Sequence, residues 1–481
     1  MKYLFSISSI LVVLLTFGGC KKALEESPKN IIDPKSFFTN ANSYEQAVLG
    51  IYSTLPGLYG GNTMMMREMF SDICGAPSSS FEQALTTYQN QHSSSFYCVR
   101  TEWSNDYTII KNANFILGYL PLATLINEQK KTELTAEARF LRAFAYFQLV
   151  QFYGGVPIRT KALEDYNNLQ LPRSSEEEVY KLILDDLTFA ETNLPTDAAQ
   201  QGRVYKMVAT ALLAKVYLTM AGNPLKKTNY YKDAKEKALA VIASPKFVLL
   251  DDYSKVFRNT AYTTESIWEQ TYAPGTGNGL HTFSLTQKGF ATLLAPSTWF
   301  INIFPAGDKR KEWGIQQAYA DNVNNVTLPP FFAKFVNLDF INDKTKGPSN
   351  SGTAYTIPFL RIAEMYLIAA EAENEMNGPA GAYQYVNKIR WRARIDKTNP
   401  AHVPDLAGLS KEQLRTEILM ERKRELYLEG STWFDLKRTN TLSNIQTVRT
   451  PAVPIGAYNN TWLIPDNELN INKIPQNPAY Q

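Results

Sequence analysis

The stretch Glu133–Phe152, ELTAEARFLRAFAYFQLVQF, repeats Ala, Leu, Phe and Tyr at three- and four-residue steps over its whole length. That period belongs to an α-helix, and Gly154-Gly155 followed by Pro157 supplies its stop. Four neighbouring segments read the same way: a helix opened by a capping-box pattern at Ser174 with Glu177, then Arg203–Ala221, Tyr230–Ala243 and, further on, Phe359–Met376. Ala380–Arg394 and Lys411–Glu429 complete a second helical block. Ala at facing positions lets such helices approach closely. Tyr146 in RAFAYF and Tyr217 in LAKVYL lie 71 residues apart, near twice the ~34-residue period of tetratricopeptide pairs. The sequence therefore predicts a mainly α fold built on stacked helical pairs.

Two regions break this pattern. Residues 58–102 and 245–357 are rich in aromatic and loop-forming residues and hold few helical stretches. Irregular chain held on a helical scaffold is where binding residues concentrate. The proline-rich end, 441–481, reads as an extended wrap over the body. Helical scaffold is expected at about 41–57, 103–244 and 358–440.

Composition removes several classes of function. A chain of 481 residues with 44% hydrophobic and 20% charged residues has material for a large core, and is neither disordered nor a disulfide-stapled miniprotein. The net charge of +3 is too small for a surface that tracks nucleic acid. His92, His281 and His402 are widely separated, and no Cys-x-x-Cys occurs, so no metal site is nominated and no cofactor is expected. After export, Cys74 and Cys98 have two open states: a disulfide or two separate thiols.

The N-terminus carries an address. Lys2 precedes an apolar run, Leu4–Phe17, that is 14 residues long, shorter than the ~20 needed to span a bilayer. A basic start, a short apolar middle and a small-residue exit make a secretory signal, here residues 1–19. The exit, Phe17-Gly18-Gly19-Cys20, resembles a bacterial lipoprotein box in which Cys20 is acylated. Residues 20–40 then form a tether from the lipid membrane to a single body, 41–481.

Chemical motifs are few. Gly275-Thr-Gly-Asn-Gly279 is GxGxG rather than GxGxxG, follows Pro274 and opens no helix, so it is not read as a phosphate loop. On Lys411–Glu429 the apolar stripe Leu414, Ile418 lands on Glu421 and Glu425 before Leu428. Two carboxylates a turn apart suggest either a paired-acid glycosidase or a structural ion network of Glu421 and Glu425 with the adjacent Arg422, Lys423 and Arg424. The structural reading is preferred, because abundant arginine keeps both acids ionised. Sugar rings stack their C–H faces on aromatic planes. Tyr97, Trp103, Trp313 and Tyr319 are the leading platforms, and Trp299, in the amphipathic STWFINIF, is a further candidate.

Several segments, in order, resemble the SusD-like (RagB/SusD) family of nutrient-binding outer-membrane lipoproteins: AVLGIYSTL (47–55), AEARFLRAFAYFQLVQFYGGVP (136–157), GRVYKMVATALLAKVYLTMAG, RIAEMYLIAAEAENE, ILMERKRELYLEGSTWFDLKR and QNPAY. Thr432 stands where the family usually has Arg. The resemblance implies a tetratricopeptide-like helical-pair scaffold with a large irregular, loop-rich ligand-binding half. It also implies an oligosaccharide or other nutrient as ligand, a partner TonB-dependent, SusC-like transporter, lipid anchoring facing the cell surface, and no catalysis. The rival readings are an exported glycoside hydrolase using Glu421 and Glu425, and a helical-repeat adaptor that binds protein only.

Overall fold

The computed structural model describes residues 38, 40–59, 67–75, 97–162, 170–272, 279–284, 294–321, 326–338, 353–449 and 455–480. The signal segment, Cys20, all of the tether except Phe38 and Asn40, and the Gly275–Asn278 part of the glycine motif lie outside them. Gly279 itself opens a short helix, Gly279–Ser284, which the sequence reading missed.

The first helix, α1 (Ala41–Tyr52), starts at a reciprocal cap between Asn40 and Ser43. Then come α2 (Tyr97–Tyr119), α3 (Glu128–Tyr153), α4 (Glu176–Asn193), α5 (Lys206–Ala221) and α6 (Tyr230–Ile242). After an irregular stretch the chain returns to helix as α10 (Ile362–Asn377), α11 (Pro379–Ala393), α12 (Lys411–Leu426) and α13 (Thr432–Arg438). Successive helices are neighbours: α2 on α3, α3 on α4, α4 on α5, α5 on α6, α6 on α10, and α10 on both α11 and α12. Tyr146 sits on the first helix of the α3–α4 pair and Tyr217 on the first helix of the α5–α6 pair.

The α3–α4 connection shows how local sequence sets this stacking. Gly154 has φ 72°, and a Cβ on Gly155 would lie 2.1 Å from the Ser174 carbonyl oxygen. Only glycine allows the returning strand of chain this close. The cap of α4 is Ser175 with Glu178, one residue later than the sequence reading placed it. The Ser174 amide is still engaged with the incoming chain, donating to the Val156 carbonyl at 3.2 Å.

Between α6 and α10 the described residues hold, besides Gly279–Ser284, three further short helices, α7 (Tyr253–Phe257), α8 (Thr298–Asn302) and α9 (Lys309–Gly314), and three two-stranded antiparallel sheets. These pair β1 (Ser266–Gln270) with β6 (Ile357–Arg361), β2 (Ile315–Gln316) with β5 (Phe331–Phe332), and β3 (Tyr319–Asp321) with β4 (Val326–Leu328). The helix expected from Phe359 therefore begins only at Ile362. Residues 357–361 are claimed by β1, which brings Trp268 against Phe359 at 4.4 Å and edge-on to Phe140 and Phe144 of α3. Trp268 is fully buried, core rather than surface.

α12 ends at Leu426, short of the expected Glu429, because Leu428 and Gly430 take positive φ. The C-terminal stretch is less extended than expected, since it includes the helices Ile445–Val448 and Asp466–Asn472. It closes on α3 through Trp462, whose amide donates to the Phe152 carbonyl at 2.7 Å and whose ring lies 4.2 Å from Phe152. Cys74 is a buried free thiol; the side chain of Cys98 lies outside the described residues. Among the described residues no helix is long and apolar enough to cross a membrane, and no cluster of His, Cys, Asp or Glu has a metal-ligating arrangement.

Candidate functional site

The irregular half is held by charge. Glu425 of α12 accepts from Arg361 at 2.6 Å, from Arg310 at 3.0 Å, from the Tyr253 hydroxyl at 3.1 Å, and also from Arg392. Glu421, one turn earlier, accepts from Arg310 at 2.6 Å, Arg390 at 2.9 Å and Arg424 at 3.2 Å. Glu429 bonds Lys334 and Arg361, each at 2.6 Å, and Glu265 joins Arg361 at 2.9 Å and Arg392 at 3.0 Å. One cluster thus pins α7, α9, β1, β6 and α11 onto α12.

Burial alone would raise the carboxyl of Glu421, but Arg310, Arg390 and Arg424 outweigh it and hold it down at about 2. Glu425 is also desolvated and is driven well below the usual carboxylate range by Arg392, Arg361 and Arg310. With relative exposures of 0% and 1%, these two acids have neither the solvent access nor the protonated form that a general acid needs. The paired-acid hydrolase reading loses its residues.

The partners differ from those expected. Neighbours in sequence on a helix do not face one another, so the adjacent basic residues mostly serve other acids. Arg422 donates to Asp435 at 2.8 Å and Glu364 at 3.3 Å, and Lys423 pairs with Asp72. Only Arg424 turns toward Glu421. The principal partners, Arg310, Arg361, Arg390 and Arg392, come from distant segments that no spacing rule links to α12.

The network places two aromatic candidates. Trp313 is three residues after the anchored Arg310 on α9. It is half-buried, stacked on Tyr253 at 6.2 Å, beside Phe257 at 6.0 Å, with the Arg258 guanidinium 4.3 Å over its ring. Trp299 on α8 is also half-buried, with the Lys423 ammonium 5.2 Å from its ring. Lys423, on α12, also pairs with Asp72 and so ties α12 to residues 67–75. The Gly75 amide donates to the Ala295 carbonyl at 2.9 Å, and the Ser297 amide to that of Ile73 at 2.8 Å. Described parts of the two irregular regions thus meet beside Trp299.

Trp103 requires correction. It is 3% exposed, edge-on to Tyr153 at 5.0 Å and 4.9 Å from Tyr107. α2 begins at Tyr97, six residues before Trp103, so that ring lies on a buried helix face with Val99 and Ile110 and offers no plane to a ligand. Recognising the 3.6-residue stripe from Val99 onward would have found it. Tyr97 opens α2 and Tyr319 opens β3, but both side chains lie outside the described residues.

Comparison with known proteins gives the lineage. Residues 306–463 match the SusD family, and residues 24–218 match a family described as "Starch-binding associating with outer membrane". The SusD-like protein P25 of Formosa agariphila is 27% identical, covering 97% of each chain. The starch-binding protein SusD of Bacteroides thetaiotaomicron is 24% identical over 72% of each. A solved laminarin-binding SusD-like protein, 24% identical, superposes with a TM-score of 0.76 over 92% of this chain and 100% of its own. With two family matches covering both helical blocks and a relative aligned almost end to end, the chain belongs to the SusD-like family.

Proposed function

We propose that this protein is a non-catalytic, outer-membrane lipoprotein that binds oligosaccharide or glycan and delivers it to a TonB-dependent, SusC-like transporter. The observation that carries this reading is the family membership, with relatives named for binding starch and laminarin. The residues are compatible with it. Trp313 is a half-buried ring on α9, which the buried ion network anchors, and Trp299 is a half-buried ring on α8 beside Lys423, so both suit a pre-organised stacking surface.

In affinity electrophoresis with a bound glycan, Trp313→Ala and Trp299→Ala are expected to weaken retention about tenfold at a true platform, by analogy with the ~1–3 kcal/mol of aromatic stacking on nucleobases. Because each ring is also half-packed, both variants should melt somewhat lower while remaining folded. Unchanged retention in both would remove these two residues from the site.

Membrane attachment rests on Cys20. Cells expressing Cys20→Ala should yield the protein in the soluble fraction and without incorporated fatty-acid label, since several acyl chains on Cys20 exceed the marginal hold of a single chain. Retention of that variant in the membrane would contradict lipid anchoring.

A further inference from the structure

A cavity of ≈ 220 Å³ opens in the helical scaffold, between the end of α3, the start of α4, the end of α5 and α13. It shares no lining residue with the Trp299 and Trp313 surface. Its walls include Glu176, Tyr180, Asn223, Phe434, Lys437 and Asn440. The volume lies below the ~300–1,000 Å³ of pockets for drug-sized ligands, which limits an occupant to about one ring.

Two polar groups in this cavity make no hydrogen bond among the described residues, and a third has donor capacity to spare. Tyr180 is 3% exposed, yet its hydroxyl makes no hydrogen bond among the described residues. The half-buried Glu176 carboxylate accepts none among the described residues and does not reach Lys437 at contact distance, although the two attract each other across the space they line. Lys437 donates to the Gln151 carbonyl and lies 4.4 Å over Trp433, leaving donor capacity unused. Burial raises Glu176 against the opposing pull of Lys437 and Arg173, and pushes Lys437 down to about 7 against that of Glu176.

The sign of the walls selects the ligand. Glu176 repels an anion, and Lys437 repels a cation. A neutral ring bearing several hydroxyls meets both demands, donating a hydrogen bond to Glu176 and accepting hydrogen bonds from Lys437 and Tyr180. Asn223 and Asn440 add amide groups, and Phe434 adds an apolar surface for C–H faces. We propose that this cavity is a second site, taking a single neutral sugar ring, separate from the aromatic surface that would hold a longer chain.

Saturation-transfer NMR on the mature chain with glucose, galactose, mannose and xylose, each supplied as the free sugar, tests this. At least one sugar should show saturable binding. Tyr180→Phe should weaken it about tenfold with little change in melting temperature, because that hydroxyl has no protein hydrogen-bond partner to orphan. Glu176→Gln should weaken it by a similar factor while also lowering the melting temperature, because it removes the charge facing the buried Lys437. Trp313→Ala should leave it intact while lowering retention by the polymer, which separates this proposal from the one above. The proposal is overturned if no sugar saturates. It is equally overturned if both cavity variants bind like the native chain, or if Trp313→Ala alone abolishes the signal.

Discussion

Replacing Glu425 by Ala should lower the unfolding free energy by about 3–5 kcal/mol, the usual consequence of removing one member from a buried ion cluster. The native carboxylate answers Arg310, Arg361 and Arg392 together, and none of these can reach water once it is gone. Glu425→Gln keeps the shape but not the charge, and should recover only part of the loss. Urea unfolding followed by circular dichroism measures both. A change below ~1 kcal/mol for Glu425→Ala would show that the cluster does not hold the irregular half to α12.

Stability should peak near pH 4.5–5 and fall on either side. Glu421 and Asp435 are desolvated but held at about 2 by their arginines. Their folded values lie below the unfolded ones, so the stability they contribute is present above about pH 4.5 and is lost as pH falls toward 2. Glu68, Glu102 and Glu269 have the opposite sign, because burial pushes each up to about 7. In the folded chain they keep a proton that the unfolded chain releases, so stability declines as pH rises from about 4.5 to 7. Melting temperatures across pH 2.5–7 test this. A steady rise from pH 3 to 7 would mean that the buried acids around Glu68 do not carry the protons assigned to them.

The scaffold was largely legible in the sequence because helices advertise themselves locally. Ala143, Phe144 and Phe147 sit at helical spacing on α3, and Gly154-Gly155 stops the helix within a residue of where the pattern ends. β6 was missed for a non-local reason: Ile357–Arg361 is extended only because Ser266–Gln270 lies beside it, and that pairing has no signature in either segment alone. The same limit governed the ion network. Glu421 and Glu425 were visible as acids on an apolar stripe, whereas Arg361 and Arg392 looked like ordinary charges on separate elements. Trp103 failed differently: it was placed at the edge of the irregular region, with scaffold expected only from about 103, whereas the helix had already begun at Tyr97. The cavity around Tyr180 left no trace in the sequence at all, being assembled from the ends of four helices.

Glycan binding is tested most directly by titrating the mature chain, by affinity electrophoresis and calorimetry, with storage, plant, host and microbial polysaccharides. At least one should bind with a dissociation constant in the micromolar to millimolar range, about −8 to −4 kcal/mol. Absence of binding to every glycan in such a panel would contradict the account.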